Sequence, residues 1–402
     1  MKKILCFLMT CCLCLPTLLI PVTAADKEGE TAEPDKTGET SEINLDLAAS
    51  AKAAYLMEYT SGKVIYAKNE HEKLYPASMT KMMGLLLIYE ALHDGKLTWD
   101  DVVTTSEHAA SMGGSQVFLE VNEQMSVRDM IKSICIASAN DAMVAMAEKV
   151  GGTHEGFVKM MNDKAQELSL SDTHFVNATG LHDPEHYTSA YDMALIAQAL
   201  IQEGGKELLE ITSTYDAYIR ENSENKFWLV NTNKLLKQYP GVDGLKTGFT
   251  QEAMSCITVT AQKNNLRLIG VVMGEPTSKQ RNAEMKTMLD YGFSQFEQGI
   301  LFPAGTVVET KTIDNGKPNQ VNLITKSDLT YVYPKGSAPK EKDRQIEITK
   351  SELPYLPGDV IGKITVTMDD GYVVEGELSV DAAVQPLEYF DLLMKSFKEF
   401  LV

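Results

Sequence analysis

The chain has 402 residues, 44% hydrophobic and 23% charged, which is enough to build two cored domains or one large domain with an appendage. Its formal net charge of -19 argues against nucleic acid as a partner and gives anionic lipid nothing to attract. The seven histidines show no metal-ligating spacing, so neither a metal nor any other cofactor is expected.

The amino terminus reads as an export signal over residues 1–24. Lys2 and Lys3 are its charged end, Ile4 to Ile20 its apolar stretch, and Val22-Thr23-Ala24 its small-residue cleavage site. Four of the six cysteines leave with it. The remaining two, Cys135 and Cys256, are expected to be small buried hydrophobes. Residues 25–42 hold almost nothing to bury and are expected to be a disordered spacer.

A hairpin signal follows: Ala53 to Glu58, a Thr60-Ser61-Gly62 turn, then Val64 to Lys68. From Pro76 to Leu92 the pattern turns helical, and helical segments continue to about Glu203. One of them, Ser126 to Ala137, opens on a capping pattern from Ser126 to Asp129. Strand patterns return at Gly244 to Thr250, Ser255 to Ala261 and Leu266 to Met273, with Asn264-Asn265 turning the last pair. Ser278 to Phe296 reads as a closing helix. Strands at both ends with helices between predict an α+β domain over 43–298, whose one antiparallel sheet draws strands from distant parts of the chain.

Short alternating strands such as Gly362 to Met368 and Tyr372 to Val380, around Asp370-Gly371, predict a small β-sandwich domain over 299–385. Residues 386–402 turn helical again. Phe390, Leu393, Met394, Phe397 and Leu401 fall on one face, which suits a membrane-surface helix or a helix packed on the β domain.

Three short motifs lie along this framework: Ser78-Met79-Thr80-Lys81, Ser138-Ala139-Asn140 and Lys246-Thr247-Gly248. Together they supply what acyl transfer through a serine ester needs, with no histidine or aspartate. Each has a chance copy: Ser223 to Lys226, which also contains an S-x-N; Ser337 to Lys340; and Lys36-Thr37-Gly38. Context separates them, because the copies fall in polar, Gly/Pro-rich or spacer sequence. Ser78 instead opens a helix with an apolar body, and positions i and i+3 share a face, so Lys81 can reach it. The alternative is that Ser78 only caps the helix. Ser138 and Asn140 sit at a junction of two apolar helices, and Gly248 lies on a strand where a substrate backbone can come close.

With the longer blocks Pro76 to Met83, Ala137 to Ala142, Asn177 to Leu181, Asn231 to Leu236 and Val242 to Thr250, the chain resembles the serine-type D-alanyl-D-alanine carboxypeptidases. These are low-molecular-mass penicillin-binding proteins. It departs from them at Met254-Ser255, where a small-plus-aromatic pair is usual. The resemblance implies a β-lactamase/transpeptidase-like fold and removal of the last D-alanine from peptidoglycan stem peptides, with β-lactam antibiotics as inhibitors. It also implies attachment to the outer face of the cytoplasmic membrane through the terminal helix. Ser78 is then the nucleophile, Lys81 its base, Ser138 the relay to the leaving amine, and Asn140 the holder of the acyl side chain's amide. Lys246 and Thr247 take the terminal carboxylate, and the Ser78 and Phe249 N–H groups beside Gly248 form the oxyanion hole. Arg281, at the start of the closing helix, matches a family arginine that reinforces the carboxylate contact, the alternative being a surface helix residue.

Two rivals share the motifs. A class A β-lactamase needs an activating glutamate, but Phe175 to Ala190 offers Asp183 and Glu185 without a Glu-x-x-Leu-Asn pattern. A non-catalytic penicillin-binding sensor or wall-binding module normally carries a spanning helix joined to a signalling domain, and no such pattern is visible.

Overall fold

The computed structural model describes residues 45–389, apart from 222, together with 393. The expected export signal, the spacer and the terminal helix beyond Tyr389 lie outside the described residues. From Asp46 onward the chain forms one compact unit.

Its centre is a five-stranded antiparallel sheet of β1 (Ala53–Glu58), β2 (Val64–Lys68), β3 (Val242–Thr250), β4 (Met254–Lys263) and β5 (Leu266–Glu275). The order is β2-β1-β5-β4-β3, so the first hairpin pairs with a strand more than two hundred residues later, as the sequence predicted. All six residues of β1 are buried. Side chains alternate across a strand, and both faces here are covered. Ala53, Tyr55 and Met57 join the core of a helical cluster, while Ala54 and Leu56 meet Met285, Met288 and Leu289 on the opposite face.

The cluster comprises α1 (Lys81–His93), α2 (Val127–Ala137), α3 (Asn140–Gly151), α4 (His154–Glu167) and α5 (Ala190–Ser213), the last broken at Gly205. The opposite face is covered by α6 (Ser278–Gln295). Every residue from Lys81 to Tyr89 is buried, which makes α1 the hub of the cluster. Ser126 caps α2 as predicted, its hydroxyl accepting from the Asp129 N–H at 3.2 Å. The helical run is less continuous than the sequence suggested. Two short strands, Val102–Thr104 and Gln124–Ser126, pair within it, and residues 168–189 are mostly irregular.

Beyond α6, β6 (Phe296–Phe302) leads into β7 (Val307–Thr312), β8 (Gln320–Thr325), β9 (Leu329–Pro334), β10 (Glu341–Ile348), β11 (Gly362–Met368) and β12 (Val373–Val380). β6 pairs with β9, and the others form a sheet in the order β7-β8-β12-β11-β10. Leu323, Leu329, Ile364, Val366 and Leu378 fill the core of this β domain. The exposed Gly371, at a φ of 86°, turns β11 into β12, a conformation open to glycine at no steric cost. Val332 on β9 is buried with the residues under α6, and Lys63 donates to its carbonyl at 2.8 Å, which ties the β domain to the first hairpin.

Candidate active site

The nucleophile candidate sits one turn earlier than a simple helix start. Ala77–Thr80 form a 3-10 turn and α1 begins at Lys81. Neither the turn nor α1 has a side-chain cap, so Ser78 is not serving as one. Its hydroxyl lies 2.9 Å from Lys81 Nζ, the contact that the three-residue spacing predicted. The preceding Ala77 has a φ of 47°, a strained setting for a residue with a Cβ, of the kind that persists where the surroundings enforce it.

What enforces it is β3 on one side and residues 177–188 on the other. An added Cβ on Gly248 would stand 2.7 Å from the Pro76 carbonyl oxygen and 3.2 Å from the Ser78 nitrogen. Glycine is what lets the edge strand lie against the nucleophile turn. Gly180 does the same from the far side: a Cβ there would fall 1.8 Å from the Ala77 oxygen.

The three motifs converge. Lys246 Nζ donates to Ser138 Oγ at 2.8 Å. Ser138 itself has a φ of 63°, where α2 ends and before α3 begins. Asn140 donates its amide to the Gly113 carbonyl at 2.7 Å, leaving its side-chain oxygen buried without a partner and available to a substrate amide. Thr247 Oγ1 donates to Thr232 Oγ1 at 2.7 Å. Phe249 is two-thirds exposed, beside the cleft edge of β3.

Lys81 and Lys246 are both buried. Burial, then the positive charge of Lys246, drives the Lys81 ammonium well below its ordinary value of 10.5; Asp141 opposes this. Burial likewise lowers Lys246, to about 7; Cys135 opposes that shift and Arg281 adds to it. Two ammonium groups in one dry site favour losing a proton, and burial lowers both.

Arg281 is buried rather than on the surface. It donates to Asn282 Oδ1 at 2.9 and 3.1 Å and to the Cys256 carbonyl at 3.3 Å, and Cys256 pairs with Gly248. It stands one strand behind the motif and acts on Lys246 through its charge. The Met254-Ser255 departure does not interrupt the sheet: β3 and β4 pair from Thr250–Met254 onward. Cys135 and Cys256 are free and buried. Of the chance copies, Ser223 bonds the Arg220 carbonyl and Ser337 closes a turn onto Pro334, and neither holds a lysine partner among the described residues.

Sequence reasoning missed the supports. The Thr179 carbonyl accepts from Lys81 Nζ at 2.7 Å, and Asn177 Oδ1 holds that loop by accepting from the Thr179 and Gly180 N–H groups. His186 is buried and neutral. Its Nδ1 accepts from the Val176 N–H, so Nε2 carries the proton it donates to Thr80 Oγ1 at 2.8 Å. Asp141 accepts from the Val117, Leu119 and Ala142 N–H groups at 2.9–3.3 Å, fixing the loop that faces Asn140. The Asn-x-x-Gly spacing at 177–180 was a readable turn signal, but which carbonyl it aimed was not.

Comparison with known proteins matches both parts of the chain. Residues 38–277 match the D-alanyl-D-alanine carboxypeptidase family, and residues 296–386 match the penicillin-binding protein 5 C-terminal domain. The chain is 45% identical over 352 residues to the D-alanyl-D-alanine carboxypeptidase DacF of Bacillus subtilis, covering 87% of this chain and 90% of that one. The crystal structure of penicillin binding protein 5 from Haemophilus influenzae is similar with a TM-score of 0.68 and 36% identity, covering 84% of this chain and 98% of that one. Penicillin-binding protein D2 from Listeria monocytogenes, solved in its ampicillin-bound form, is similar with a TM-score of 0.55 and 30% identity, covering 61% and 98%.

Proposed function

The chain belongs to the D-alanyl-D-alanine carboxypeptidase family, and from that premise we propose that it removes the terminal D-alanine from peptidoglycan stem peptides through an acyl-enzyme on Ser78. The observation that carries this reading is the 2.9 Å contact between Ser78 Oγ and a buried Lys81 amine, whose pKa burial and the Lys246 charge push well below its ordinary value.

Ser78 Oγ attacks the carbonyl carbon between the two D-alanines as Lys81 takes its proton. The oxyanion is met by the N–H groups of Ser78 and Phe249, on the turn and on the strand that Gly248 brings together. The C–N bond then breaks. The leaving amine receives a proton through Ser138, which Lys246 holds in place. Lys246 and Thr247 take the substrate's terminal carboxylate, Arg281 adds positive potential from behind, and Asn140 Oδ1 accepts the acyl chain's amide N–H. Water attacks the ester and frees Ser78, leaving a stem one residue shorter. β3 is the edge of its sheet, so an extended peptide adds alongside it. Penicillin enters by the same attack, and its opened ring stays attached at the leaving side.

The protein is exported, on the reading of residues 1–24, and works at the outer face of the membrane, with residues 386–402 as its surface anchor. No helix among the described residues is long and apolar enough to cross a membrane. The test is mass spectrometry after brief exposure to penicillin and to a peptide ending in two D-alanines. The expected result is one adduct on Ser78 lasting many minutes, and free D-alanine from the peptide. Ser78→Ala should lose both, and a persistent adduct in that variant would overturn the assignment. Release of the adduct in seconds would instead mark a β-lactamase.

A further inference from the structure

The hairpin of residues 216–219 and 227–230 carries an exposed aromatic pair that the mechanism does not use. Tyr218 and Trp228 stand directly opposite each other in its register and are 42% and 55% exposed, while Ile219 and Leu229 are fully buried on the inner face. The pair is built rather than incidental. The indole N–H donates to Asp216 Oδ2 at 3.0 Å, which satisfies the one polar group of Trp228 and leaves its flat ring to solvent. The ammonium of Lys226 sits 4.0 Å over the Tyr218 ring. The result is an open indole face with a carboxylate at its edge, beside a tyrosine ring that carries an ammonium on its own face. This is the chemistry that receives a sugar ring, whose C–H face packs on an aromatic while its hydroxyls find charged partners.

The hairpin is continuous with the cleft. Four residues after Trp228, Thr232 accepts from Thr247 Oγ1 of the third motif. Four residues of chain span at most about 14 Å, so the pair lies within the reach of a stem peptide from the reacting carbonyl. The two rings expose on the order of 200 Å², far below the ~800 Å² per partner of a specific protein interface. That area suits one or two sugar rings and not a protein.

We propose that Tyr218, Trp228, Asp216 and Lys226 form a subsite for a β-linked amino-sugar glycan strand of the polymer that carries the stem peptides. The proposal rests on the carboxypeptidase reading and extends it. Thr247 is on the side of the cleft that takes the terminal carboxylate, so the strand held here adjoins the one bearing the scissile stem. Holding it keeps further stems near the site at a raised effective concentration.

The experiment titrates the full exported chain with peptide-free glycan strands and with an N-acetylglucosamine hexamer, following indole fluorescence. The chain has two tryptophans, so Trp99→Phe isolates the Trp228 signal. A second readout, co-sedimentation with insoluble glycan, needs no tryptophan. The expected result is saturable binding that weakens roughly five- to tenfold in Trp228→Ala and in Tyr218→Ala, and that Trp228→Phe keeps within about twofold. Penicillin acylation reports that each variant is folded. No binding by the native chain, or equal binding by Trp228→Ala, overturns the subsite. D-alanine release from a short peptide without sugar tests the underlying activity separately, so the two readings fail independently.

Discussion

Gly248→Ala tests whether the reacting geometry is set by backbone packing between β3 and the nucleophile turn. The new Cβ would stand 2.7 Å from the Pro76 oxygen, where an ordinary contact begins at 3.4 Å, so the strand and the turn must part by about 0.7 Å. The obstacle is a backbone carbonyl in a turn clamped by Gly180 from the other side, so no rotamer change relieves it. A misplacement of ~1 Å can cost on the order of a hundredfold in rate. On that scale 0.7 Å corresponds to roughly 25-fold slower acylation by a chromogenic or fluorescent penicillin. Overpacking of this kind costs about 1–3 kcal/mol of stability, which leaves a domain of this size folded. The assay is the second-order acylation rate beside a thermal melt. A folded variant that acylates within twofold of the native rate would refute the claim that this packing sets the oxyanion and nucleophile positions.

Three further expectations follow from the supports around the site. Lys246→Gln removes a cation that holds the Lys81 amine down, so the acid limb of the acylation pH profile should move to higher pH; an unmoved limb would show that burial alone sets the base. His186 is held at about 4 by burial against an ordinary 6.5, so the unfolded chain takes up its proton first and stability falls as pH drops between those values, by up to about 3 kcal/mol. His186→Gln, whose amide still reaches Thr80, should flatten that slope in denaturant titrations at pH 4 to 7. Asp141→Ala orphans the Val117 and Leu119 N–H groups of the loop facing Asn140 and the Ala142 N–H of α3; it should cost at least about 2 kcal/mol and raise KM for the peptide, and an unchanged melt would refute it.

Much of the site was legible because its chemistry is carried by residue type at short spacing. Ser78 and Lys81 had to meet once the segment was helical, and the 3-10 form of the first turn did not alter that. Context, not presence, separated Lys246 on its strand from the copy at Lys36 in spacer sequence. The sheet could be foreseen because β1 and β5 are both apolar runs in need of covered faces. What stayed hidden is long-range backbone work. That the Thr179 carbonyl would accept from Lys81, ninety-eight residues away, has no local signature. Arg281 showed the limit from the other side: its place at a helix start suggested solvent or substrate, and only the packing of α6 on β4 shows it spent on Asn282 and the Cys256 carbonyl.

Lys81 has no exposure at all, and its amine points between Ser78 Oγ and the Thr179 carbonyl. On the proposed mechanism an ammonium formed there is screened from solvent by its neighbours, and the shortest route for its hydrogen runs through the hydroxyl of the partly exposed Ser78. If the roles proposed above hold, the departing D-alanine amine carries away the enzyme's own hydroxyl proton. The next turnover draws its replacement from the water that splits the ester. An unproductive encounter simply hands the hydrogen back to Ser78 and leaves the base ready.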